Sequence, residues 1–372
     1  MIKTWDYLDE YKKNKKFFLR LVNKVYGSGQ LFFGKETNNF EKNFCKFNKA
    51  KYGVSVKNGT DALYIALKAM NIGENKTDEV ITVSNTAIPT ISAIVSSGAR
   101  PRFVDVGEDY LMDVNKLKNL INKNTKAIMP VHLYGKMCNM FEILKIAKKY
   151  KLKIIEDCAQ SFGSSIKNKK AGTWGDAGCF SFYPTKVLGA YGDGGFVIVK
   201  RKSLYEKIKR IRFYGIETVN EQSKFFNKYY SNEHGINSRI TELQASFLNF
   251  KLKKINDFIK IRKKIAQHYL LKLKNTKFKL PELKNNVFNS FVVQHVERDK
   301  IIKKLIKKKI FLNINYPFPI HKMKSYKKYV CKNCNCLKNT ELISKRIFSL
   351  PIYNNLSFKK INFVIKSLIK ES

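Results

Sequence analysis

From Val54 to Val199 the chain alternates short β-branched runs with stretches of helical apolar spacing, and no other feature narrows its fold as far. Val54-Ser55-Val56 is followed by a helix from Ala62 to Met70. Glu79–Val83 is followed by Thr90–Ser97, Arg102–Val106 by Val114–Ile121, and Ala127–Leu133 by Phe141–Tyr150; Lys153–Glu156 closes the series. Strands separated by helices predict an α/β fold with a mostly parallel sheet flanked by helices. Right-handed crossovers then bring the strand C-terminal ends to one edge, where ligands gather. Residues 200–236 read as a helix and a long loop. A long helix starts at Glu242 and reaches about Leu273. Beyond it, Phe291–Val296, a helix capped by Asp299 with Ile302, Leu305 and Ile306 inward, and Phe311–Tyr316 read as a βαβ unit. The expected division is a large domain over residues 1–262 and a smaller α+β domain over 263–372.

The 372 residues are 44% hydrophobic, enough for a large core and against wholesale disorder. No run approaches 18 apolar residues, so no membrane span is expected. The N-terminal apolar pieces are cut by Arg20 and preceded by Lys12, Lys13, Lys15 and Lys16, unlike a signal peptide. A cytoplasmic location follows as an expectation, and seven cysteines then read as thiols rather than a disulfide framework. Cys331, Cys334 and Cys336 are closely spaced with no second pair. Zinc held with His321 is the minor reading of them, and no metal is expected. The net charge of +43 is spread along nearly every segment, without a zinc-finger, RNP or basic-zipper pattern. It reads as solvated surface that draws anionic substrates toward clefts, with no specific nucleic-acid partner.

Two stretches carry chemistry. Lys186 follows Phe180-Ser181-Phe182-Tyr183-Pro184-Thr185 and precedes the glycine-rich Gly189–Gly195. A desolvated amine in a turn between buried strands loses its proton easily and can form a Schiff base; a solvated loop lysine is the other reading. Asn58-Gly59-Thr60-Asp61 opens a helix, and its free N–H groups suit an anion, although simple capping explains the same residues. Asp157 stands just past a buried strand, either as a cap or held for a cationic partner.

Five motifs in order resemble the PLP-dependent sugar-nucleotide aminotransferases of the DegT/DnrJ type, with fold type I. They are Asn58–Leu63, Pro130–Gly135, Glu156–Ser161, Phe180–Lys186, and Gly235–Arg239 with Glu242–Ala245. The resemblance spans about Gly29 to Pro351. It implies pyridoxal 5′-phosphate held on Lys186, which also shuttles a proton. It implies Asp157 on the pyridinium nitrogen, Gln160 on the ring hydroxyl, and Gly59, Thr60 and Ser181 on the phosphate. Asn237 is implied to reach the phosphate of a second subunit, making a homodimer with shared active sites. A branch with histidine at the lysine position removes a sugar hydroxyl; Lys186 favours transamination.

The resemblance further implies a nucleotide-linked keto-sugar as substrate and L-glutamate as donor. Ala87 stands where many members stack an aromatic residue on the cofactor. That variant resembles the branch that aminates C3 of dTDP-linked 3-keto-6-deoxyhexoses, for an amino-dideoxy sugar of a surface glycan. Amination at C4 of a 4-keto-6-deoxy sugar is the alternative, and a basic regulatory protein on a dead PLP fold is a third reading. Asn289 and Asn315 replace common histidines. Tyr183, Asn315, Tyr316 and His321 are the substrate-side candidates.

Overall fold

The computed structural model describes residues 1–217, 230–330 and 336–371. After β1 (Ile2–Lys3), helices α1 (Leu8–Tyr26) and α2 (Lys35–Asn48) lead into the main sheet. Its strands are β2 (Tyr52–Val56), β3 (Glu79–Val83), β4 (Arg100–Val104), β5 (Thr125–Ile128) and β6 (Lys153–Asp157). After a small hairpin of β7 (Ser165–Ile166) and β8 (Lys169–Lys170) come β9 (Ala177–Ser181) and β10 (Gly195–Val199). The order across the sheet is β2-β10-β9-β6-β5-β3-β4. Only β10 runs antiparallel to its neighbours, so the sheet is mostly parallel, as the alternation predicts.

Both faces are buried. On one, Val54, Val56, Ile155, Cys179 and Val197 pack against α3 (Gly59–Ala69) and α4 (Ile88–Ser96). On the other, Phe44 is fully buried and meets Phe196, Phe162 and Phe180 at ring-centroid distances of 4.3, 5.0 and 5.1 Å. This aromatic layer fixes β9 and β10, and with them the turn that carries Lys186.

The long helix expected from Glu242 is two helices, Glu242–Lys253 and Ile255–Leu273, broken at Lys254. The second crosses the expected 262/263 boundary without interruption. The βαβ reading of the C-terminal part does not hold. β11 (Phe291–Gln294) pairs antiparallel with β13 (Ile347–Leu350), while the intervening β12 is only Ile310–Phe311 and pairs with β1. The rest of the expected strand is drawn elsewhere. The Asn313 N–H bonds Thr4, and Asn315 and Tyr316 face the main cavity, with Pro317 and Pro319 beyond. Inward positions of the helix Arg298–Lys307 are Ile301 and Leu305, with Ile306 exposed. Ile2 and Leu305 share one core with Phe291 and Leu350.

Among the described residues no helix is long and apolar enough to cross a membrane. Cys45, Cys138, Cys158 and Cys179 are free thiols, whereas Cys336 is disulfide-bonded, against the expectation of thiols throughout. Cys331 and Cys334 lie outside the described residues.

Candidate active site

A cavity of about 470 Å³ opens at the C-terminal edge of β6, β9 and β2. Gly59, Thr60, Ala87, Asp157, Gln160, Ser181, Tyr183, Lys186, Asn315 and Tyr316, spread over 258 positions of sequence, all line it. Ten of the twelve residues singled out from sequence therefore line one cavity.

The Lys186 turn is built locally. Tyr183 carbonyl accepts from the Lys186 N–H at 2.9 Å, with Pro184 fixing the backbone at the turn's second position. Beyond it, Ala190 and Gly194 bond back to Phe182, and Gln244 accepts from the Tyr191 N–H. A Cβ on Gly189 would lie 2.3 Å from the Pro184 carbonyl oxygen, so the loop closes only over glycine. Lys186 has part of its surface open to the cavity while protein encloses its amine. Burial lowers its pKa from 10.5 to about 8, and the Asp157 charge pulls in the other direction.

Asp157 is buried at the end of β6. Its Oδ1 accepts from the Ala159 N–H at 3.1 Å and its Oδ2 from the Thr90 hydroxyl at 2.8 Å, with Thr86 bonded to Thr90 in turn. Burial nevertheless raises its pKa, because these donors and Lys186 do not repay desolvation in full. Such a carboxylate has capacity for a further cationic partner. Gln160 is fixed at both ends of its amide: Oε1 accepts from the Tyr134 N–H and Nε2 donates to the Tyr316 hydroxyl at 2.9 Å. The Tyr134 hydroxyl donates to the Asn315 carbonyl, tying the Asn315-Tyr316 segment to the sheet.

Opposite lies the start of α3. Asn58 caps it, accepting from the Asp61 N–H at 2.8 Å. A Cβ on Gly59 would sit 2.6 Å from Ser181 Cβ, and one on Gly195 would sit 2.2 Å from the Asn58 carbonyl oxygen. Helix start and strand ends therefore meet through bare backbone. That makes a cradle of N–H groups and the Ser181 hydroxyl suited to a phosphate. An anion cradle, a cavity wall with an uncompensated carboxylate, and an amine of lowered pKa together fit the donor set that PLP requires.

Two expected residues lie elsewhere. Asn237 is exposed outside its own chain's cavity, and its Oδ1 accepts from Arg239 Nε at 2.9 Å. Its neighbour Ser238 accepts from the Lys57 N–H and donates to Asp61, fastening this segment beside α3. His321 does not reach the cavity wall. It is buried, with Nδ1 2.7 Å from the Ser84 hydroxyl and Nε2 3.0 Å from Glu341. Sequence reasoning missed Thr90 and Thr86. Thr86 precedes the N-cap of α4 and Thr90 lies in its first turn, so no single helical or strand period in the sequence pairs them. It also missed Asp193, which lines the cavity from the glycine-rich turn.

A sequence profile of the DegT/DnrJ/EryC1/StrS aminotransferase family matches residues 12–369. The chain is 40% identical to dTDP-3-amino-3,4,6-trideoxy-alpha-D-glucose transaminase of Micromonospora megalomicea subsp. nigra, over 98% of this chain and 97% of that one. It is 38% identical to dTDP-3-amino-3,6-dideoxy-alpha-D-galactopyranose transaminase of Aneurinibacillus thermoaerophilus, over 95% of each. The crystal structure of S. venezuelae DesV in complex with a ketimine intermediate superposes with a TM-score of 0.91 at 30% identity, covering 98% of this chain and 96% of that one.

Proposed function

The chain belongs to the DegT/DnrJ/EryC1/StrS aminotransferase family of PLP-dependent enzymes and is a sugar-nucleotide aminotransferase; from that premise we propose that it aminates C3 of a dTDP-linked 3-keto-6-deoxyhexose. L-glutamate is the proposed donor, and the product is an amino-dideoxy sugar destined for a surface glycan. The observation that carries the regiochemistry is Ala87 on the cavity wall, a methyl where a ring would fill space. The names of two relatives, both 3-amino sugar transaminases, support the same choice.

PLP, when bound, supplies an electron sink and carries the amino group between the two substrates. Lys186 Nζ would hold the cofactor and would take and return the proton at the reacting carbon. A pKa of about 8 leaves it able to do both near neutral pH. Asp157 would hold positive charge at the ring nitrogen, its carboxylate oriented by the Ala159 N–H and the Thr90 hydroxyl. Gly59, Thr60 and Ser181 hold the phosphate. Gln160, clamped by Tyr134 and Tyr316, presents its amide to the ring hydroxyl. Tyr183, Asn315 and Tyr316 face the sugar. Asn237, exposed in its own protomer, serves the phosphate of a second copy, so the active unit is a homodimer.

The test begins with an absorbance spectrum of the purified protein before and after L-glutamate. A visible band that moves into the near-ultraviolet is expected, and an unmoved band removes glutamate as donor. Next, the 3-keto and 4-keto dTDP sugars are supplied separately and the products identified by NMR. Preferential turnover of the 4-keto isomer overturns the C3 assignment while leaving the aminotransferase intact.

A further inference from the structure

At the far edge of the main sheet lies a second cavity, of about 410 Å³, half of whose lining residues are lysines. Lys49, Lys51, Lys167, Lys169, Lys170 and Lys200 all line it, and no carboxylate does. It shares no residue with the active-site cavity. The register places the two apart: Gly195 of β10 pairs with Val56 and Ser181 at the active-site edge, whereas Val199 pairs with Tyr52 and Ala177 at the other. A five-residue strand separates them by roughly 16 Å.

Lysines are common enough here that a lone one signifies little, with 72 Lys and Arg against 29 Asp and Glu. This cluster differs in two respects. None of its six amines lies within 4.0 Å of a carboxylate among the described residues. The acidic groups that act on Lys200 are engaged elsewhere: Asp176 accepts from the Ile154 N–H, and Glu156 from the Gly172, Trp174 and Gly175 N–H groups. Second, four of the amines are placed over aromatic rings. Lys170 Nζ lies 3.1 Å from the Phe47 ring centroid, Lys169 4.6 Å from Trp174, Lys167 5.1 Å from Phe141 and Lys51 5.3 Å from Tyr52. Ring faces orient an ammonium without neutralising it. The repulsion is felt within the cluster: burial and then Lys49 lower the Lys170 pKa to about 8.

We propose that this cavity is a second ligand site, for a small polyphosphate, either free or at the end of a nucleotide. The shared chemistry is several adjacent anionic oxygens, which six lysines around one carboxylate-free cavity match.

The test uses holoenzyme treated with borohydride, so that PLP is fixed on Lys186 and the cofactor cradle is filled. Inorganic tripolyphosphate is titrated calorimetrically at 0.15 M salt, where exposed charges are largely screened. Saturable one-to-one binding per protomer is expected. It should weaken tenfold or more in Lys49→Ala/Lys167→Ala, whose side chains are both exposed, and hold in Lys303→Ala/Lys307→Ala on a distant helix. A parallel titration with ATP separates the sources: tighter binding than tripolyphosphate assigns a nucleotide, and equal binding assigns the chain alone. Absence of saturable binding, or equal weakening by the distant pair, overturns the site and reduces the cluster to diffuse surface charge. Neither result bears on the aminotransferase reading, which the cofactor spectrum tests separately.

Discussion

Lys186 is enclosed by protein yet stands near Asp157, two neighbours that push its pKa in opposite directions, and burial wins. With a pKa of about 8, roughly a tenth of the molecules carry the neutral amine at pH 7, against about one in three thousand for an ordinary lysine. Only the neutral amine attacks an aldehyde, so the sign is fixed: capture of PLP by the apoprotein accelerates as pH rises and levels off once the amine is free. Stopped-flow absorbance should place the midpoint near pH 8. A midpoint near 10.5 would mean that the apoprotein does not keep the amine enclosed. Lys186→Ala should abolish the covalent band and lower turnover by at least about a thousandfold, the scale of losing an essential proton-transfer group. Asp157 provides the complementary case. Its pKa is raised by burial, so a positive ring nitrogen beside it would restore its charged form. These environments come from residues far apart in sequence. The motif order marked Lys186 and Asp157 as functional, but desolvation is a property of what encloses them, and the sequence order does not display it.

Helix starts set the site at the next scale. Glu242 is buried, and its carboxylate accepts from the N–H groups of Gly34, Glu36 and Thr37 and from the Thr37 hydroxyl, capping α2 from 205 residues away. α2 carries Phe40 and Phe44, the floor beneath β9 and β10, which flank the Lys186 turn. Glu242→Ala leaves those buried donors without partners and should cost at least about 3 kcal/mol, read as a lowered urea midpoint; an unchanged midpoint would show that water replaces the carboxylate. Gly59→Ala acts on α3. Its new Cβ must displace Ser181, so PLP affinity should fall by about tenfold or more, or 1.4 kcal/mol, with the far-ultraviolet dichroism unchanged. Unchanged affinity would remove the α3 cradle as the phosphate seat. The strand and helix alternation was legible because its periods of two and 3.6 are written in adjacent residues. Two kinds of feature were not. The Glu242 cap joins elements that only the tertiary fold brings together. The Phe311–Tyr316 run has strand composition, but beyond Phe311 it makes only an isolated bridge, Asn313 to Ser349, while its other backbone groups bond Thr4 and Tyr134.

At the scale of the whole molecule the open question is where Asn237 acts. It lies outside its own chain's cavity and exposed, while Ser238 beside it is fastened to α3, so the segment is held rather than free to fold inward. Arg239 is equally fixed, 4.4 Å from the Phe32 ring and 4.9 Å from Phe213. A polar segment held in place outside its own cavity can complete a neighbour's, and an isologous dimer would make the exchange reciprocal. Mixing separates the possibilities. Lys186→Ala protomers and Asn237→Asp protomers, each inactive alone, are combined, unfolded and refolded together. If Asn237 serves the partner, each heterodimer has one site with both lesions and one with none. Half the dimers are then hetero, and activity should return to about a quarter of wild type. If Asn237 serves its own protomer, every site keeps one lesion and the mixture stays inactive. Sedimentation of the mixture, run alongside, establishes that heterodimers formed, so an inactive mixture that contains them rules out the shared site.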